Sequence, residues 1–110
     1  MDAQTIENIK KAQGIRGIPK TDHLVHYKNI GELLDERQSK FNDKIYLIYY
    51  NDDKNEHCEY SYAEFNQRVN KIANFMSEKL GIKRGDRVGT VMFNHSDTVC
   101  IYMAVMKLGG

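Results

Sequence analysis

Two imidazoles three residues apart, His23 and His26, have a spacing that zinc sites use, but no carboxylate or thiolate is placed to complete four ligands. Pro19 also argues against a helix that would present both on one face. His57 and Cys58 could pair a base with a nucleophile, yet they adjoin in strand-like sequence, where neighbouring side chains point to opposite faces. Asn94-His95-Ser96 fits the glycosylation sequon, and no signal sequence leads the chain to the secretory route. Gly14-x-x-Gly17 and Gly81-x-x-x-Gly85 lack the strand-loop-helix context of phosphate loops and read as turns. One positional candidate survives. Ligands of open parallel α/β sheets bind beyond the carboxyl ends of the strands, and Asn94, His95 and Ser96 occupy such a place, where free helix N–H groups favour anions. A plain helix cap at Ser96 or Asn94 explains the same residues. No residue is therefore assigned a catalytic, cofactor-binding or metal-binding role.

The chain that carries these residues has 110 positions, about one small domain. It is 41% hydrophobic and 28% charged, the balance of a soluble globular protein. Sixteen basic residues against fifteen acidic ones leave a net charge of +1. That near-balance excludes a dedicated nucleic-acid or membrane-surface binder. Lys10-Lys11 and Lys83-Arg84 with Arg87 are clusters too small to alter this. Cys58 and Cys100 lie in different elements and read as reduced thiols. The first twenty residues contain no apolar signal core, and the longest apolar run, Val99 to Met106, is far short of the ~20 residues that span a bilayer. A cytoplasmic location follows as the expectation.

Stepping along the elements, residues 1–28 are polar and broken by Gly14, Gly17 and Pro19, which predicts a short helix near 3–12 followed by an extended segment. Asn29 can cap a helix with Ile30, Leu33 and Leu34 on its apolar stripe, ending before Phe41. KIYLIYY, 44–50, reads as a strand, NDDKN as a turn and EHCEYSY as the returning strand of a hairpin. Ser61 and Glu64 have capping-box spacing. Tyr62, Phe65, Val69, Ile72, Ala73, Met76 and Leu80 then recur at steps of three and four, and Gly81 stops the helix. RVGTVMF, 87–93, is apolar or small at alternate positions on both faces, which predicts a central strand and a right-handed βαβ unit. A last helix, apolar nearly all round, runs to Lys107 with Gly109 and Gly110 behind it. So apolar a terminal helix predicts a piece of a larger protein, and a short chain with such faces should self-associate.

The stretch from Tyr60 to Gly110 resembles the N-terminal region of the AMP-forming acyl-CoA synthetases, the adenylate-forming ligase superfamily. The resemblance rests on Tyr62, Ala63, Glu64, Val69, Asn70, Ala73, Gly81, Gly85, Asp86, Arg87, Val88, Asn94, Ser96, Lys107 and Gly109. NIGELLDERQSKFNDKIYLIYY resembles the segment before it, whereas residues 1–28 add nothing specific. Phe65 stands where leucine is usual, and His95 where an apolar or small residue is more common. The resemblance implies an α/β fold: a partial parallel or mixed sheet with an N-terminal β-hairpin and flanking helices. Residues 1–28 would be an extended N-terminal segment and 29–110 the N-terminal part of the synthetase large domain, cut short. It further implies that the parent adenylates a carboxylic acid with ATP and Mg²⁺, releases pyrophosphate and passes the acyl group to coenzyme A. The family's phosphate loop, nucleotide-contacting carboxylates and catalytic lysine lie downstream, so the 110 residues themselves would be inactive. An adenylation domain of a peptide synthetase, or a stand-alone interaction module on the same scaffold, are the alternatives.

Overall fold

Local signals start and stop most of the elements. The computed structural model describes residues 1–12, 14 and 26–110. In chain order the elements are α1 (Ala3–Ala12), α2 (Ile30–Phe41), β1 (Ile45–Asn51), β2 (Glu56–Ser61), α3 (Tyr62–Leu80) and α4 (Ser96–Leu108). Asp2 accepts the Thr5 N–H at 2.7 Å to open α1, which buries none of its residues. Asn29 Oδ1 accepts the Glu32 N–H at 2.9 Å, so the expected cap of α2 is in place. The helix runs one residue further than expected, taking in Phe41, before the Asn42 N–H bonds Gln38 O.

β1 and β2 form an antiparallel hairpin with Tyr49 opposite Cys58 and Asn51 opposite Glu56. Its turn is closed by Asn55, which takes a positive φ of 51°, a conformation that asparagine tolerates well. At the junction with α3 the capping box is complete: Ser61 Oγ accepts the Glu64 N–H at 3.2 Å, and Glu64 Oε2 accepts the Ser61 N–H at 2.9 Å. Phe65, Val69, Ala73 and Met76 are buried as the periodicity predicts, while Leu80 at the helix end is exposed. Gly81 ends α3 at φ 68°. These side chains meet Leu34 of α2 and Cys100 and Ala104 of α4, and the hairpin adds Leu47 and Tyr60 to the rim. Phe65 and Val69, each fully enclosed, contribute on the order of 1.5–3 kcal/mol apiece by burial.

Two expectations are corrected. The described sheet has only the strands β1 and β2 and is antiparallel, so no parallel sheet and no βαβ unit form among the described residues. Residues 87–93 keep a period of two near their middle, with Val88 and Thr90 half-buried and Gly89, Val91 and Phe93 exposed. Yet none of Arg87 to Met92 makes a backbone hydrogen bond among the described residues. Alternation gives an extended segment, and a strand needs a neighbour to bond. The second correction concerns α4. Cys100 and Ala104 are fully buried against α2 and α3, and Val99, Ile101, Met103, Val105 and Leu108 pack around them. Only Tyr102 and Met106 among its large apolar residues are exposed. The fold is α/β, but helix-dominated, with one hairpin.

Candidate functional site

Residues 94–96 lie where a segment with unbonded backbone enters α4, and they wall a cleft of about 530 Å³ against Leu47–Asp53 of the hairpin. The expected caps, Asn94 and Ser96, do not cap. His95 does: its Nδ1 accepts the Asp97 N–H at 3.1 Å, while Ser96 is the first residue of the helix and is buried. Imidazole manages this because Nδ1 sits where the Oδ1 of an asparagine cap would sit. The ring lies against Tyr49, centroids 4.5 Å apart. Asp97 in turn takes Arg68 of α3 through its Oδ1, with Arg68 Nε at 3.1 Å. This carboxylate holds the guanidinium pKa above its ordinary value. Burial pushes the thiol of Cys100, one turn on, upward and away from nucleophilic use.

Serine, histidine and aspartate thus adjoin, but not as a relay. Ser96 Oγ at 3.4 Å and Asp97 Oδ2 at 3.5 Å both face the same nitrogen, Nδ1. A triad needs one ring nitrogen for the nucleophile and the other for the carboxylate. The cleft does not fit a nucleoside triphosphate with its metal either. Asp52 and Asp53 line it, and Lys54 and Asp97 both line the adjoining hollow. Asp97 is already paired with Arg68, so Lys54 is set against the two carboxylates of Asp52 and Asp53, a balance that repels rather than cradles phosphate. No three metal-binding side chains converge among the described residues.

The other sequence candidates fall apart in space. His57 is exposed and meets Glu59 at 3.4 Å, while Cys58 is half-buried on the opposite face. His23 and Gly17 lie outside the described residues, and His26 is exposed. Gly81 and Gly85 are turn residues at φ 68° and 87°. Around the second of them the Asp86 carboxylate accepts the Lys83 N–H at 2.9 Å, and the Gly85 N–H bonds Gly109 O at 2.9 Å. A Cβ on Gly109, itself at φ 80°, would come within 2.9 Å of Arg84 Cγ.

One constellation was missed at the sequence level. Lys107 Nζ donates to Asp35 Oδ1 at 3.1 Å, Asn66 Oδ1 at 2.7 Å and Asn70 Oδ1 at 2.7 Å. Asn66, buried, donates from Nδ2 to Asp35 and to Gln38 Oε1. All three ammonium protons are used, and α2, α3 and α4 are tied at one point. The Asn66 amide, first, and Lys107 hold the Asp35 carboxyl below the usual aspartate value. Asn66 and Asn70, four apart beside the stripe of Phe65, Val69 and Ala73, are the signal that could have exposed it.

The family model described as "AMP-binding enzyme" matches residues 34–110. The crotonobetaine/carnitine–CoA ligase of Salmonella paratyphi A is 30% identical over 91 residues, covering 78% of this chain and 16% of that protein. Tyrocidine synthase 1 of Brevibacillus parabrevis is 30% identical over 83 residues, covering 76% of this chain and 7% of that protein. The chain therefore spans about a sixth or less of the length of these relatives. No solved structure matches significantly.

Proposed function

We propose, from the premise that the chain belongs to the AMP-binding enzyme family, that it is the N-terminal part of an AMP-forming carboxylic acid–CoA ligase. Residues 1–28 are its leading segment and 29–110 the beginning of its large domain. The complete enzyme activates a carboxylate with ATP and Mg²⁺, releases pyrophosphate and forms the thioester with coenzyme A, in the cytoplasm. Within it the 110 residues are scaffold. One observation supports this most: the motif residues that carry the family resemblance are spent on architecture. Glu64 caps, Gly81, Gly85 and Gly109 turn, Asp86 closes a loop, and Asn70 and Lys107 clamp helices. No helix among the described residues is long and apolar enough to cross a membrane.

ATP–pyrophosphate exchange tests the reading. The 110-residue chain should give none with any carboxylic acid, and a protein that extends it through the family's phosphate loop should exchange in a carboxylate-dependent way. Exchange by the short chain, abolished on mutating His95, would overturn it. A second reading, the adenylation domain of a peptide synthetase, is favoured by the equal identity to tyrocidine synthase 1. Transfer of the acyl group to a carrier domain rather than to coenzyme A would select it. The isolated chain should also self-associate through exposed apolar side chains such as Val91, Phe93, Ile48 and Tyr50. Sedimentation showing a concentration-independent monomer would refute that part.

A further inference from the structure

We propose that His95 is a proton-operated helix cap, which exchanges the start of α4 for the Asp97 carboxylate when the ring is protonated. Three groups surround one nitrogen. The Asp97 N–H reaches Nδ1 at 3.1 Å and the Ser96 hydroxyl lies at 3.4 Å, an arrangement that requires an Nδ1 lone pair and so the neutral ring with its proton on Nε2. Asp97 Oδ2 lies 3.5 Å from the same nitrogen. Once Nδ1 carries a proton it can no longer accept the N–H, and that carboxylate oxygen becomes its partner.

Asp97 can take the new contact without releasing the old one. Arg68 binds through Oδ1, leaving Oδ2 for the imidazolium. The remaining charged or titratable groups facing the ring are Tyr49, tilted against it, and Asp52, Asp53 and Lys54 around the adjoining cleft walls. Protonation therefore loosens the first turn of α4 and ties the ring to its own helix through Asp97, a carboxylate it then shares with Arg68 of α3. It also places a positive charge at the positive end of the helix dipole, which favours moving the ring out of the cap. The cleft between Tyr49 and residues 94–96 changes shape as a result.

An NMR titration of the 110-residue chain from pH 8 to pH 5, the range in which imidazoles change charge, tests this. At pH 8 the His95 ring nitrogens should show the proton on Nε2. The protection factor of the Asp97 amide should fall about fivefold in step with His95 protonation, the ratio that ~1 kcal/mol of capping implies. His95→Asn keeps an acceptor in the cap position and should hold that protection constant across the range. A proton on Nδ1 at pH 8 overturns the proposal. So does an Asp97 amide that stays flat in the unsubstituted chain, or one that titrates equally in His95→Asn.

Discussion

Phe65 and Phe93 are the same residue in two regions of similar apolar character, and they end on opposite sides of the surface. Phe65 is 1% exposed and Phe93 is 93% exposed. α3 satisfies its backbone within itself, from the capping box at Ser61 to the left-handed Gly81, so its apolar stripe is free to choose neighbours. Residues 87–93 cannot do this. Extended backbone must find its hydrogen bonds on another strand, and the hairpin's two strands pair with each other. Helices close their own accounts before packing, and strands close theirs only in company.

A matched pair of substitutions puts the largest strain on this contrast. Phe65→Ala should destabilise the chain by about 3–5 kcal/mol through a core cavity. Phe93→Ala should stay within about 0.5 kcal/mol, as for an exposed site. Denaturant midpoints measure both, and equal shifts would show that 87–93 belongs to the core. Lys107→Met is next: it leaves the carbonyl of the buried Asn66 without its donor, at a cost of about 1–3 kcal/mol. A neutral result would mean that packing alone holds the three helices. Ser61→Ala sharpens the point about self-sufficiency and should cost about 0.5–2 kcal/mol. Circular dichroism should then show fraying from the α3 N-terminus.

The smallest effect is electrostatic. The Asp35 carboxyl titrates below its ordinary value in the folded chain, chiefly through the Asn66 amide and then Lys107. Its contribution is present above the ordinary aspartate value of about 4 and is lost as pH falls through the lowered folded value. Stability curves between pH 5 and 2 should thus be flatter in Asp35→Asn than in the unsubstituted chain. The side chain is two-thirds exposed, so the difference should be slight.

How legible each part was depended on distance along the chain. The caps at Asn29 and Ser61, the stop at Gly81 and the hairpin turn are set by residues within about four positions of one another, and each was readable. His95 was misread because capping preference ranks Asn94 and Ser96 above it, whereas geometry gave the place to the ring nitrogen. Strand periodicity at 87–93 was real but said nothing of a partner. The Lys107 clamp was invisible as a unit, since its acceptors come from two other helices.

That clamp also sets a timetable. Lys107 joins positions 37, 41 and 72 residues away, and the last of these closes nearly two-thirds of the chain into a single loop. Loop-closure entropy rises with such separations, so contacts within the hairpin and along α3 can form early while the Asp35 contact must wait. An interaction absent from the transition state acts as a brake on the way out rather than a guide on the way in. Lys107 should therefore govern how long the folded chain lives far more than how quickly it forms.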